Sequence, residues 1–406
     1  MSTPHRIVVV GAGLAGVSTC DALRAGGFDG DLLLLSAEDG LPYDRPPLSK
    51  DVLLGKARYE DLLLRPAAWY ADNAVELRTG AVVTALLPAE DAVELADGRR
   101  ITADRVVLAT GGTPRALPVE GGDDRAVHTL RTWDDALRLG ERLLPGARVA
   151  VVGAGLIGAE TAAAAAALGC RVTLIDPVPV PLAAAVGSDI ARALHHRHAE
   201  AGIRLVTGGV ERIERRTAAD EVLVHTTGSD APLAADTVVV GIGIRPGTAL
   251  AEAAGLHTGN GVVVDDRQRT SHPRVLAVGD LARRDGHTLR HEHWDAAQRD
   301  GQAAAAGLLG AAPPAGQTTW FWSDRHGSRL EAVGTMADAE RTVLRGAPDH
   351  GSFTVFGLRG DHLVAAAAID RGRDIRTARR IIDRAAPVDP SRLADETADL
   401  RALLRV

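Results

Sequence analysis

Two stretches of the chain carry the same hydrophobic signature. Residues 6–10 (RIVVV) form a β-branched apolar run, which predicts a strand buried on both faces of a parallel sheet. A glycine turn (GAGLAG), a helical run (VSTCDALRAGG) and a second apolar run at 31–35 (DLLLL) follow. Residues 148–175 repeat that order as RVAVV, GAGLIG, the helical AETAAAAAALG and RVTLI. Each copy predicts a β–turn–α–β unit. Buried strands ending in glycine turns are also predicted at 104–111 (DRVVLATG), 235–243 (ADTVVVGIG) and 273–280 (PRVLAVGD). After about residue 317 the pattern changes to short successive strands, RTVLRG, SFTVFGL and HLVAAAAI. Helices are expected near 371–385 and from Asp389-Pro390 onward, a pair that suits an N-cap with proline at the first helical position.

Composition narrows the classes. At roughly 100–200 residues per domain, 406 residues allow two to four domains. Hydrophobic residues make up 46% and charged residues 24%, the balance of a soluble globular protein. A net charge of −7 argues against general nucleic-acid binding, which needs a basic surface. No apolar run approaches the roughly 20 residues of a membrane-spanning helix, and the first run is too short for a secretory signal. Cys20 and Cys170 are far apart and no CxxC exists, so neither a disulfide framework nor a dithiol redox pair is expected. The expected location is the cytoplasm.

The glycines carry the chemistry. Gly11, Gly13 and Gly16 match GxGxxG, as do Gly153, Gly155 and Gly158. In each triplet the first glycine permits the tight turn, the second lets the backbone approach a pyrophosphate, and the third lets helix and strand pack closely. The helix N-terminus then offers free N–H groups and partial positive charge to phosphates. Both copies follow a strand and precede a helix and second strand, the context that makes the motif informative. Asp176 stands directly after RVTLI, where a carboxylate binds an adenosine ribose. The next residues, PVPVPL, hold no cation for a 2′-phosphate, which favours NADH over NADPH. In the first copy the acid is Glu38, somewhat later along the chain. Two dinucleotide sites suggest one FAD and one nicotinamide, a pairing that converts two-electron hydride donation into single-electron release.

A further set of motifs is more specific. LPYDRPPLSK (41–50), LATGGTPR (108–115), LRT (130–132), GIGIRP (241–246), AVGD (277–280), EHWDAAQ (292–298) and WFWSD (320–324) join the two glycine motifs in order along the chain. Together they resemble the FAD-dependent ferredoxin reductases of bacterial oxygenase systems, the family of putidaredoxin reductase, rubredoxin reductase and the dioxygenase reductases. The resemblance spans essentially the whole chain. It implies an α/β, glutathione-reductase-like fold: two Rossmann-type domains and a C-terminal α+β domain. The division expected is an FAD-binding domain at 1–110 and 244–316, an NADH-binding domain at 111–243, and the C-terminal domain at 317–406.

The resemblance also implies residue roles. Gly11, Gly13, Ala15 and Gly16 would hold the FAD pyrophosphate. Arg45 and Lys50 would lie by the cofactor, with Lys50 on the N5 side of the flavin. Val83 would meet the adenine portion, Thr110, Gly111 and Arg131 would contact FAD, and Asp280 would bind its ribityl or phosphate region. Trp294 would sit beside the isoalloxazine. Gly155, Ile157, Glu160, Asp176 and Gly243 match the NADH positions. Glu160 would meet the nicotinamide carboxamide and pair with Lys50, and Trp320 and Trp322 would flank the flavin on the partner side. Where many relatives carry Asp this chain has Ala37, leaving the FAD ribose to Glu38, Ser36 or water. Ala296 replaces a common Asn.

The implied activity is electron transfer from NADH through FAD to an iron–sulfur ferredoxin that supplies an oxygenase. The arginines from 371 to 384, Arg376 and Arg380 among them, offer a basic docking surface, with a solvated helix face as the competing reading. The alternatives are a rubredoxin reductase and a redox-sensing flavoprotein similar to apoptosis-inducing factor. A disulfide reductase is disfavoured for want of a cysteine pair. No metal site is expected: HEHW at 291–294 lacks completing ligands, and His195, His196 and His198 are expected to face solvent. The expected oligomeric state is a monomer or weak homodimer.

Overall fold

The computed structural model describes residues 4–216, 221–229, 231–315 and 318–405. The chain forms two compact units: Met1–Asp44, Tyr59–Thr113 and Ile244–Ala315 in the first, and Arg45–Arg58, Pro114–Gly243 and Gly316–Val406 in the second.

The first unit is built on a five-stranded parallel sheet. Its order is Val275–Ala277, Arg105–Leu108, Arg6–Val10, Asp31–Leu35 and Val75–Arg78. Ile7, Val8 and Val9 are fully buried, because successive side chains point to opposite faces and both faces are covered. Val8, Leu33 and Val106 pack on one side and Ile7, Val9 and Val107 on the other. The helix Leu14–Ala25 follows the first strand, and the helix Trp294–Leu308 packs against it. A Cβ on Gly301 would lie 2.8 Å from the Ala15 carbonyl oxygen, so the close approach of these helices requires glycine there. Val83–Leu87, Ala92–Leu95 and Arg100–Thr102 form a separate three-stranded antiparallel sheet.

The second unit repeats this plan. A five-stranded parallel sheet runs Arg204–Thr207, Arg171–Asp176, Arg148–Val152, Thr237–Val240 and Val127–His128. Val210–Arg216, Glu221–Thr226 and Leu233–Ala235 supply the matching three-stranded antiparallel sheet. The internal repeat therefore extends from the glycine motif to the whole strand order.

The second unit also holds a five-stranded antiparallel sheet, in the order Trp320–Arg325, Ser328–Gly334, His362–Ile369, Phe353–Arg359 and Arg341–Gly346. The last three are strands the sequence predicts; the hairpin of the first two is new. One face buries Ile375, Ala378 and Ile381 of the helix Gly372–Asp383. The other buries Ile190 and Leu194 of the helix Ser188–Glu200 against Phe321, Leu330 and Phe353. Asp389 caps the helix Pro390–Ala394 by accepting from the Ser391 N–H at 2.9 Å.

Candidate functional site

The two glycine turns have the same geometry for the same steric reasons. The Gly11 N–H donates to Leu35 O and the Gly153 N–H to Ile175 O, each at 2.8 Å. Gly11 (φ +109°) and Gly153 (φ +97°) occupy backbone conformations that side chains rarely adopt. A Cβ on Gly16 would fall 2.0 Å from Gly11 O, and one on Gly158 would fall 1.9 Å from Gly153 O. Gly13 and Gly155 differ: nothing lies within 4 Å of where their Cβ atoms would be. Both are N-caps of twelve-residue helices, without a side-chain cap and without an acid in the first turn. An uncapped helix start beside an open glycine suits a pyrophosphate, so both turns fit a dinucleotide.

The structure divides the sequence-predicted residues between the two units. The first brings together Gly11, Gly13, Ala15, Gly16, Glu38, Val83, Thr110, Gly111, Asp280 and Trp294. Gly279 (φ +71°) turns the AVGD segment so closely onto the first helix that its own Cβ would lie 2.8 Å from Ala15 Cβ. Thr110 Oγ1 donates to Gly247 O at 3.0 Å. Trp294 Nε1 donates to Asp44 Oδ1 at 2.9 Å. Glu38 accepts from the Tyr43 hydroxyl at 2.5 Å, and the buried Ser36 bonds the Glu38 backbone through its own hydroxyl. Ala37 is exposed and Ala296 buried.

Asp300, beneath the AVGD turn, accepts from the Gly279 N–H at 3.2 Å and from Gln268 Nε2 at 2.9 Å. Burial, with a smaller push from Asp280, raises its carboxyl from 3.8 to about 6. Between those values the folded state binds more protons than the unfolded state, so this group's contribution falls as pH rises. Asp300→Asn is expected to remove that slope and raise stability above pH 6 by on the order of 2 kcal/mol. Thermal unfolding of the FAD-loaded protein from about pH 4 to about pH 7 would show it.

The second unit gathers Arg45, Lys50, Arg131, Gly153, Gly155, Ile157, Gly158, Glu160, Asp176, Gly243, Trp320 and Trp322. Asp176 ends its strand and accepts from the Ala154 N–H of the glycine turn at 2.7 Å and from the Val178 N–H at 2.8 Å. Ile157 is 44% exposed in the first turn of its helix, an apolar residue left open beside the turn. Gly243 (φ +92°) accepts from the Arg115 N–H at 3.0 Å. Arg45 donates to Arg131 O. The LRT motif also has a structural role: Thr132 and Asp135 form a capping box on the helix Trp133–Gly140.

Glu160 is the centre of a buried polar group. It is 4% exposed and sits on the helix Leu156–Ala167. Lys50 Nζ lies 3.2 Å from its Oε1 and 3.9 Å from Asp324 Oδ2. Ser49 donates to Glu160 Oε2 at 2.5 Å and Ser323 to Oε1 at 2.7 Å. Burial holds the Glu160 carboxyl above the usual range, while Lys50 and the two hydroxyls pull it back down. Trp320 and Trp322 stack at 4.9 Å between ring centroids, and Lys50 Nζ lies 5.7 Å from the Trp322 ring centre.

Ser49, Ser323 and Arg325 are members of this region that sequence reasoning passed over. Two had a signal: Ser49 precedes Lys50 in PPLSK, and Ser323 lies in WFWSD on the strand face opposite the two tryptophans. One expectation is corrected. His198 does not face solvent but is 2% exposed, and its Nδ1 meets His326 Nε2 at 2.9 Å. Its helix packs against the antiparallel sheet on the side that carries His198, a tertiary contact that local polarity does not reveal. Burial and the nearby Arg325 hold its imidazole down to about 3. Cys20 and Cys170 are unpaired, and burial pushes the Cys20 thiol up to about 12. Among the described residues no helix is long and apolar enough to cross a membrane, and no cluster of three His, Cys, Asp or Glu is placed to hold a metal ion.

Residues 5–301 match the pyridine nucleotide-disulphide oxidoreductase family and residues 320–404 the reductase C-terminal domain. The chain is 41% identical to the ferredoxin–NAD(+) reductase component of the anthranilate 1,2-dioxygenase system of Burkholderia cepacia, across 98% of each chain. It is 36% identical to putidaredoxin reductase of Pseudomonas putida, across 100% of this chain and 98% of that one. Its structure matches the reductase of the covalent putidaredoxin reductase–putidaredoxin complex with a TM-score of 0.93 and 36% identity, covering 98% of both chains. With these matches beside two dinucleotide turns and no cysteine pair, the chain belongs to the pyridine nucleotide-disulphide oxidoreductase family, among its FAD-dependent ferredoxin reductases.

Proposed function

We propose that this protein oxidises NADH and passes the electrons, through FAD, singly to an iron–sulfur ferredoxin that supplies an oxygenase. The observation that carries the reading is the pairing of two uncapped, glycine-opened helix starts with a buried Lys50–Glu160 pair and no dithiol. FAD supplies the exchange between two-electron and one-electron chemistry. The first unit, with Gly11, Gly13 and Asp280, would hold it, and residues 111–243 would receive NADH.

Each side chain then has a task. Asp176 closes the second glycine turn and offers its remaining acceptor capacity to a ribose hydroxyl. Glu160 orients the nicotinamide by accepting from its carboxamide. Lys50 places a positive charge where negative charge builds up on reduction. No nucleophile or general acid is required. Two unpaired cysteines favour a reducing compartment, the cytoplasm.

For the partner, the helix Gly372–Asp383 offers a surface. Arg373, Arg376 and Arg380 are exposed on it at positions that share a face, in a chain of net charge −7. An acidic ferredoxin would be steered by such a patch. Stopped-flow mixing with NADH, then with a [2Fe–2S] ferredoxin, tests the function. Fast reduction by NADH, slower reduction by NADPH and rapid reoxidation by the ferredoxin are expected. A long-lived NADH–flavin charge-transfer complex that reduces no acceptor would overturn the reading in favour of a redox sensor. Exchanging Arg376 and Arg380 for Glu is expected to raise the KM for ferredoxin about tenfold and flatten its salt dependence, leaving reduction by NADH unchanged.

A further inference from the structure

A cleft of about 720 Å3 opens within the second unit. Its floor is the alanine face of the helix Leu156–Ala167, formed by Ala163, Ala164, Ala166 and Ala167, and the turn after Trp320–Arg325 lines one side. Arg325 lines this cleft while only 6% exposed. Among the described residues its guanidinium makes no hydrogen bond or ion pair, and its Nε is buried without an acceptor. A buried cation left in that state is costly, so the site is incomplete as a purely structural feature.

The neighbours do not complete it. Glu160 attracts Arg325 but is already held by Lys50, Ser49 and Ser323. Arg197 disfavours further positive charge at Arg325, and Arg325 in turn disfavours protonation of His195, His198 and His326, so none of these offers it a negative partner. Asp324 and Asp370 both turn to Arg329, one to its guanidinium at 3.3 Å and the other to its backbone N–H at 2.7 Å.

We propose that this cleft binds a small organic carboxylate, its two oxygens on the Arg325 fork and its apolar body along the alanine floor. Guanidinium and carboxylate match in planar, two-point geometry. The volume falls within the range of small-molecule sites. The small side chains of the floor leave that volume unfilled and give it an apolar surface. Asp51, Glu160, Asp324 and Asp370 share the cleft with Lys50, Lys56, Arg325 and Arg329, so its lining is balanced in charge, and the alanine floor makes an anion with an apolar portion a better fit than phosphate.

Isothermal titration of the FAD-loaded protein tests this, with sodium benzoate as the probe, inorganic phosphate as a second titrant and ionic strength held with chloride. Benzoate is expected to saturate at one equivalent with a Kd of about 1 mM or tighter, and phosphate to bind at least tenfold more weakly. Arg325→Lys keeps the charge but loses the fork, and is expected to weaken benzoate at least tenfold. Ala167→Phe occupies the floor from an exposed position that displaces no core side chain, and is expected to do the same without loss of FAD. No saturable benzoate binding, phosphate binding as tight as benzoate, or benzoate affinity unmoved by Ala167→Phe would each overturn the proposal.

Discussion

Replacing Gly155 by valine is expected to leave a folded, yellow, FAD-loaded protein that NADH no longer reduces. Replacing Gly13 by valine is expected to leave a folded protein that has lost its FAD. Both glycines have ordinary extended N-cap conformations, φ −66° at Gly155 and φ −71° at Gly13, so a side chain meets no backbone strain. Nothing lies within 4 Å of either added Cβ, so the protein itself has room. What a valine would displace is the pyrophosphate. Folding stability should therefore move by less than about 1 kcal/mol, while the rate of reduction by NADH in the first case falls by at least about a hundredfold. Gly16→Ala is the contrast: its Cβ would lie 2.0 Å from Gly11 O, and a destabilisation of about 1–3 kcal/mol or more is expected with or without cofactor. Flavin content, the melting temperature and stopped-flow reduction separate the three. A Gly155→Val protein reduced at the normal rate, or a Gly13→Val protein that keeps FAD, would refute the assignment of the turns.

That contrast also shows what the sequence could and could not reveal. The motif G-x-G-x-x-G states a backbone requirement, and backbone requirements are local. Gly11 must take positive φ and Gly16 must admit a carbonyl, and both follow from the strand and helix on either side. Ile7, Val8 and Val9 were legible for the same reason: an unbroken β-branched run has few fates other than a strand covered on both faces. The shared strand order of the two parallel sheets was not legible. It depends on which distant segments pair, and a short strand such as Val275–Ala277 or Val127–His128 carries no address.

The buried polar group around Glu160 shows a second limit. Glu160, Ser49 and Ser323 come from three separate segments, and each alone reads as an ordinary polar residue on a helix or strand. Lys50 and Glu160 could be paired from the sequence only through the resemblance to known reductases. His198 failed in the opposite sense: three histidines in four positions read as a solvated helix face, yet the antiparallel sheet buries one of them. Polar residues inside a core are placed by tertiary packing, and their partners are the part of a site that spacing does not encode.

Glu160→Gln is the substitution from which the largest catalytic loss is expected with least disturbance of the fold. Glutamine keeps the shape of the side chain, and its amide can still accept from one serine while the other hydroxyl rotates to accept in turn. It removes the negative charge that Lys50 meets at 3.2 Å. FAD should stay bound, and reduction by NADH should slow by about a hundredfold, because the nicotinamide loses an oriented acceptor and Lys50 loses the partner that fixes it. The pH dependence supplies an independent check. Burial holds the wild-type carboxyl above the usual carboxylate range. As pH falls through that raised range, the wild-type protein loses its anionic acceptor and its rate should fall toward that of the glutamine variant. The variant, with nothing to titrate there, should show a flat profile over the same interval. An unchanged rate, or the same inflection in both proteins, would remove Glu160 from the reaction. Loss of FAD in place of loss of reduction would instead assign the second glycine turn to the flavin.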